Sequence, residues 1–313
     1  MTQNVGLIGL GAMGSGMANS LRRAGHSVHV YDVRAEVAQA FAKDGGVACD
    51  ALAQLGAACD VVISVVVNAA QTEAVLFGAD DAKDGGCADS KESSSGCAAA
   101  MKPGSVFVMC STVDPNWSIA LEKRLVALDI LYIDAPISGG AAKAASGDMT
   151  MMSAGSPAAY VKAEPLLNAM AGKVYRLGDS AGAGSKVKII NQLLAGVHIA
   201  AAAEAMALGL REGVDPAALY DVITHSAGNS WMFENRMAHV LAADYTPLSA
   251  VDIFVKDLGL VLDMARASKF PLPLSSTAHQ MFMQASCAGY AREDDSAVIK
   301  IFPGIELPKG AGG

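Results

Sequence analysis

The stretch VGLIGLGAMGSGMANSLRRAGHSVHVYD, residues 5–32, decides the fold. Val5 to Leu10 is an apolar run of strand length, Ala12 to Arg23 has helical spacing, and Ser27 to Asp32 is a second β-rich run. Between the first strand and the helix, Gly9-Leu10-Gly11-Ala12-Met13-Gly14 is a GxGxxG turn. Gly9 permits the sharp turn, Gly11 lets a pyrophosphate approach the backbone, and Gly14 lets the helix pack on the strand. The helix start supplies unpaired N–H groups and a partial positive charge for phosphates. At the end of the second strand, Asp32 can accept hydrogen bonds from both ribose hydroxyls and repels a 2′-phosphate, so NAD is expected over NADP. Arg34 pulls the other way, because a guanidinium at that position can reach a phosphate. The hexapeptide alone also reads as a Gly-rich turn with no ligand; its strand–turn–helix–strand–Asp setting favours the dinucleotide.

Outward from this unit the pattern repeats. Strand-like runs stand at Asp60 to Val67, Ser105 to Met109, Ile130 to Asp134, Met149 to Ala154 and Lys173 to Leu177, with helical stretches between them. Alternation of this kind predicts crossover units and a parallel, doubly wound sheet of Rossmann type over residues 1–178. After Gly178 the texture is helical, with candidate helices over 184–211, 216–225, 230–242, 252–268, 274–289 and 294–301. Residues 179–313 are therefore expected to form an all-helical domain, entered through a long interdomain helix. The small, polar segment 79–98 interrupts the pattern and reads as a surface loop.

Composition narrows the function classes. The chain has 313 residues, two domains' worth at roughly 100–200 residues each. Charged residues are 17% of the chain, against about 25% in an average soluble protein, and hydrophobic residues are 52%, which excludes a disordered chain. A net charge of −8 without a basic run argues against nucleic acid and against an anionic membrane surface. Six cysteines without a CxxC pair, in a long apolar chain, fit reduced thiols in the cytoplasm. The start Met-Thr-Gln-Asn carries no basic n-region of a signal peptide. Leu193 to Leu210 is apolar but holds His198 and Glu204, and reads as a buried helix rather than a membrane span.

Two further segments carry chemistry. DAPISGG, 134–140, follows a strand; its backbone N–H groups and the Ser138 hydroxyl suit a carboxylate, or the segment is a tight connection between strands. GAGSKVKIINQ, 182–192, opens the long helix, with Lys188, Asn191 and Gln192 at i, i+3 and i+4 on one face. A Lys–amide stripe on a buried helix suits an active site, because burial disfavours the charged amine and moves it toward proton transfer. The alternative is that both lysines of the segment project into solvent. Lys256 and Asp257, with Asp252, read as a solvated helix face, and Trp231 reads as core. Asn229 and Ser230 are additional polar candidates for the site. His26 and His29 form HxxH with no Cys or carboxylate at ligand spacing, so no metal is expected.

Four segments in order, GLIGLGAMGSGMA at 6–18, DAPISGG at 134–140, GAGSKVKIINQ at 182–192 and VKDLGL at 255–260, give the chain its likeness over nearly its whole length. It resembles the β-hydroxyacid dehydrogenases, the group of 3-hydroxyisobutyrate dehydrogenase and tartronate semialdehyde reductase. The resemblance implies an NAD-dependent oxidoreductase acting on a small hydroxy acid. It puts the catalytic general acid/base on Lys188, substrate binding on Ser138, Gly139, Gly140, Asn191 and Gln192, and cofactor binding on Val67, Asn68, Thr112 and Lys256 beside the Gly9–Gly14 loop and Asp32. Gln192 stands where many members have Asn, and Val66-Val67 where many have Leu-Pro. SAGNSWMFENR at 226–236 and the tail at 292–308 resemble the L-threonate branch of the group, so a four-carbon polyhydroxy acid is the expected substrate. Action on 3-hydroxyisobutyrate or tartronate semialdehyde, and a nucleotide-binding scaffold without turnover, are the rival readings. Family likeness also implies a homodimer or homotetramer.

Overall fold

A computed structural model describes residues 2–78 and 96–309, which fall into two compact units, Met1–Lys188 and Ile189–Gly313. The first unit runs β1 (Asn4–Ile8), α1 (Gly14–Arg23), β2 (Ser27–Tyr31), α2 (Ala35–Lys43), β3 (Val47–Ala48), α3 (Leu52–Ala58), β4 (Val61–Ser64), α4 (Ala69–Phe77), β5 (Val106–Met109), α5 (Pro115–Val126), β6 (Leu131–Asp134), β7 (Ile137–Ser138), α6 (Gly140–Ser146), β8 (Met149–Gly155), α7 (Pro157–Met170) and β9 (Ala171–Arg176). The sheet order is β3-β2-β1-β4-β5-β6-β8-β7, with β9 beside β8. From β3 to β6 every pairing is parallel, and the order reverses between β1 and β4. This is the dinucleotide-binding arrangement, whose ligand crevice lies at that reversal.

The strands are apolar throughout because helices cover both faces. Leu7, Ile63, Val108 and Ile133 are fully buried on one face, and Val62, Phe107 and Tyr132 on the other. Each aliphatic burial contributes about 1.5–3 kcal/mol. On the first face α1 lies directly against α6: a Cβ on Gly16 would stand 2.6 Å from the Ala144 carbonyl carbon and the Ala145 nitrogen. The helix that follows the glycine turn is thus packed, without side-chain spacers, on the helix that follows DAPISGG.

The parallel sheet expected from the sequence holds through β6 and then changes. β8 runs antiparallel to β6, and β7 antiparallel to β8. Gly139 (φ 131°) and Gly140 (φ 75°) turn the chain through two successive left-handed residues, so it returns along β8 instead of crossing over. The two-residue β3 was not legible as a strand, being too short to show a pattern. Residues up to 95 of the proposed loop at 79–98 lie outside the described residues. Gly96, Cys97 and Ala98, read as part of that surface loop, are buried: a Cβ on Gly96 would meet the Leu76 carbonyl oxygen at 2.1 Å.

α8 (Ala183–Arg211) begins in the first unit and continues into the second, followed by α9 (Pro216–Thr224), α10 (Trp231–Ala242), α11 (Val251–Ala267) and α12 (Pro273–Ala285). Asp215 caps α9 by accepting the Ala218 N–H at 2.8 Å, with Pro216 at the first helical position. Ala195, Ala203 and Met206 of α8 and the stacked pair Phe254–Phe282, with ring centroids 5.1 Å apart, lie in the core of this unit. Among the described residues no strand follows β9.

The expectation that α8 is buried on most of its circumference is not met by one chain. Its most apolar window is 44% buried, and Val187, Ile190, Leu194 and Leu208 are exposed at spacings that keep them on one face. Trp231, expected in the core, is 55% exposed.

Candidate active site

The glycine turn carries out its three tasks in distinct ways. Gly9 has φ 92°, and a Cβ there would meet the Val65 carbonyl oxygen at 2.7 Å. A Cβ on Gly14 would strike the Gly9 carbonyl oxygen at 1.8 Å, so helix and strand meet backbone to backbone. Gly11 has nothing within 4 Å of its Cβ position, so its backbone faces open space, as a pyrophosphate requires. Leu10 and Ala12 flank it, and Met13 precedes α1 without any side-chain cap. No acidic residue sits in the first turn of α1, so nothing there opposes an anion.

Asp32 leaves the end of β2 and turns back to this loop. Its Oδ2 accepts the Leu10 N–H at 2.7 Å, and its Oδ1 accepts the Arg34 N–H at 2.9 Å and Nε–H at 3.2 Å. Burial by itself would raise this carboxyl, but the bonds from Arg34 and Leu10 hold it below the ordinary carboxylate range. The Arg34 guanidinium is therefore paired with Asp32 rather than directed at a ligand. These residues fit NAD: an open glycine, an uncapped helix start and an ionised carboxylate at the end of the second strand.

The remaining positions of the first unit also follow carboxyl ends of strands. Val67 follows β4, is 46% exposed, and donates its N–H to Gln71 Oε1 at 2.8 Å. Asn68 caps α4, its Oδ1 accepting the Gln71 N–H at 2.9 Å. Gln71 thus braces the Val67–Asn68 turn, a role the sequence did not reveal. Thr112 follows β5; its neighbour Ser111 donates to the Val66 carbonyl at 2.7 Å and ties the two loops together. Ser138 lies in β7, paired with Thr150, so DAPISGG is both a strand connection and a turn. Gly139 and Gly140 end that turn at the start of α6; a Cβ on Gly139 would press on the Lys143 side chain at 2.9 Å, whereas Gly140 is open.

Lys188 is 7% exposed on α8, so it does not project into solvent. Three and four residues on, in the second unit, Asn191 Nδ2 donates to Gln192 Oε1 at 3.1 Å, and Gln192 Nε2 donates to Asp257 Oδ2 at 2.6 Å. Lys256 Nζ lies 2.6 Å from Asp257 Oδ1. The reading of Lys256 and Asp257 as a solvated face is thus overturned: Asp257 is 2% exposed and joins the Gln192 amide to the Lys256 ammonium. Asp257 accepts the amide at Oδ2 and faces the Lys256 ammonium at Oδ1; a carboxyl oxygen only accepts from an amide N–H, which fixes which way the Gln192 amide points. Asn229 Nδ2 donates to the Thr224 carbonyl, leaving its buried Oδ1 without a hydrogen bond, and Ser230 caps α10.

Burial pushes the Cys59, Cys97 and Cys110 thiols up to about 12, which removes them as nucleophiles. Among the described residues no three His, Cys, Asp or Glu gather where they would hold a metal ion.

Residues 4–178 match the NAD binding domain of 6-phosphogluconate dehydrogenase, and residues 182–302 match the family described as NAD-binding of NADP-dependent 3-hydroxyisobutyrate dehydrogenase. The chain belongs to the 3-hydroxyisobutyrate dehydrogenase family. Its relatives include the L-threonate dehydrogenase of Cupriavidus necator, 67% identical over 98% of this chain and 99% of that protein. The L-threonate dehydrogenase of Escherichia coli K12 is 52% identical over 97% of this chain and 96% of that protein. A crystal structure described as 3-hydroxyisobutyrate dehydrogenase from Salmonella typhimurium superimposes with a TM-score of 0.88 at 51% identity, covering 96% of this chain and all of that one (100%). Within this family the chain is an NAD-dependent hydroxyacid dehydrogenase acting on a CH–OH group, which disposes of the scaffold reading.

Proposed function

We propose that the enzyme oxidises L-threonate at the hydroxyl next to the carboxylate, giving 2-oxo-tetronate, with Lys188 as the general acid/base. The observation that carries the substrate is the 67% identity, across 98% of the chain, to a relative named L-threonate dehydrogenase. The polar groups agree with it. Ser138, Asn191 and the unpartnered Asn229 Oδ1 are more than a methyl-bearing acid satisfies.

Bound NAD supplies the hydride acceptor. The Gly9–Gly14 backbone and the start of α1 bind its pyrophosphate, Asp32 its ribose hydroxyls, and Val67, Asn68, Thr112 and Lys256 complete its contacts. Ser138 and the N–H groups of Gly139 and Gly140 hold the substrate carboxylate. Lys188 Nζ takes the proton of the substrate hydroxyl during oxidation and returns it during reduction. Asn191 and Gln192 orient the lysine and the substrate, and Asp257 keeps the Gln192 amide in one orientation.

With NAD, at one pH, L-threonate is expected to give the highest kcat/KM in a panel with D-threonate, D-erythronate, glycerate and 3-hydroxyisobutyrate. Sites built around substrate hydroxyls reject analogues that lack them, because buried polar groups are left unpaired. First place for 3-hydroxyisobutyrate would overturn the substrate and leave the family and cofactor intact.

The active form is proposed to be a homodimer or homotetramer. Support comes from the apolar stripe Val187, Ile190, Leu194 and Leu208, exposed along one helix of a single chain. Light scattering of the purified protein should give a mass of at least twice 31.9 kDa; a monomer at micromolar concentration contradicts the proposal.

A further inference from the structure

α8 starts in direct backbone contact with the end of β6 and the middle of β8. A Cβ on Gly184 would stand 2.4 Å from the Met152 carbonyl oxygen and 2.7 Å from that of Asp134, and one on Gly182 (φ 101°) would strike Ile119 at 2.8 Å. At this junction Asp134, 0% exposed at the end of β6, directs its carboxylate into the first turn of the helix. Oδ2 accepts the N–H of Gly182 and of Ser185, each at 2.9 Å, and Oδ1 accepts the Ser185 hydroxyl at 2.6 Å. Charge-assisted bonds of this kind are about twice as strong as neutral ones, and a carboxylate is favoured at a helix N-terminus. Burial pushes the Asp134 carboxyl above its ordinary range, and these bonds offset part of that cost.

Lys188 follows Ser185 by three residues, about 4.5 Å along the axis and on nearly the same face. A rotation or slide of the first turn therefore carries the Lys188 Cα with it. Fully buried, Asp134 touches no substrate itself. We propose that Asp134 is a positioning residue of the reaction: clamping Gly182 and Ser185, it sets the height and rotation of the α8 segment that bears Lys188. The proposal rests on the reading of Lys188 as the proton-transfer group.

Asp134→Asn replaces one acceptor by an amide that faces N–H donors and should loosen the clamp. Misplacement by about 1 Å costs on the order of 10²-fold in rate. The expected result is a kcat lowered about 10–100-fold, with the Kd for NAD within about twofold of wild type, since the glycine turn and Asp32 are untouched. Ser185→Ala removes one bond and keeps both backbone donors, so it reads the same contact if Asp134→Asn does not fold; a loss of about 3–10-fold in kcat is expected. The deciding measurement repeats each substitution in a Lys188→Ala background. An effect that runs through Lys188 vanishes there, to within about twofold, whereas a merely structural defect costs the same factor in both backgrounds. Equal losses in the two backgrounds, or wild-type kcat in Ser185→Ala together with a folded, fully active Asp134→Asn, would overturn the proposal. Failure of the underlying reading looks different: Lys188→Ala alone would then keep its turnover.

Discussion

Lys188→Ala is expected to lose about 10²–10⁴-fold in kcat, the range that a positioned general acid/base typically contributes. NAD affinity should stay within about twofold, because the pyrophosphate and ribose contacts proposed here belong to Gly9–Gly14 and Asp32. Two facts separate this lysine from its neighbours. Lys188 is 7% exposed, whereas Lys186, two residues earlier, is exposed. Lys188 also heads the face that continues through Asn191 to Gln192, whose amide is held at 2.6 Å by the buried Asp257. Burying an amine costs free energy that a surface lysine does not incur, so proton transfer gives the position a reason to exist. Steady-state kinetics with a fluorescence titration of NAD make the test. Since the truncation leaves space where the butylamine chain lay, a small primary amine should restore part of the lost rate. Lys186→Ala should change kcat by less than about twofold, as surface substitutions typically do little. Wild-type turnover in Lys188→Ala would remove the lysine from the mechanism.

What was legible in the sequence was local. Gly9, Gly11 and Gly14 announce themselves because a turn, a close approach and a helix–strand contact each need a missing Cβ within six residues. Lys188, Asn191 and Gln192 announce themselves because helical spacing alone puts them on one face. Asp257 did not, because its meaning lies in Gln192, 65 residues away, and beside Lys256 and Asp252 it looks like any charged surface. Asp134 ended a strand in the sequence, but nothing near it told that its partners stand at Gly182 and Ser185. The antiparallel return of β8 depends on two glycine dihedrals, and composition does not report dihedrals. The exposed stripe of α8 was hidden for a related reason: an Ala-rich helix that is apolar nearly all round does not reveal which side its own chain covers.

Cofactor choice should invert when Asp32 is removed. In wild type the ionised Asp32 meets ribose hydroxyls favourably and a 2′-phosphate unfavourably, and each hydrogen bond to a charged group is worth about 1.5–3 kcal/mol. Asp32→Ala should therefore lower kcat/KM for NAD by about 10²-fold. Part of that loss comes from the Leu10 N–H, which donates to Asp32 Oδ2 at 2.7 Å and would be left without its acceptor inside the glycine turn. The same substitution releases Arg34, whose Nε is 3.2 Å from Asp32 Oδ1, to meet a 2′-phosphate. Repulsion is lost and a cation gained, so kcat/KM for NADP should rise, moving the NAD:NADP ratio by about 10³-fold in total. Asp32→Ala with Arg34→Ala should keep the loss for NAD and cancel most of the gain for NADP, which assigns the gain to the guanidinium. The pH dependence carries its own sign. Asp32 is held below the ordinary carboxylate range, so it is ionised everywhere above that range and protonates only as the pH falls through its depressed value. A 2′-phosphate itself ionises a second time at about pH 6, so above that step wild-type preference for NAD should be flat, from about pH 7 to pH 9. A preference that changes between about pH 7 and pH 9, or an Asp32→Ala enzyme that still prefers NAD as strongly as wild type, would mean that another group reads the ribose.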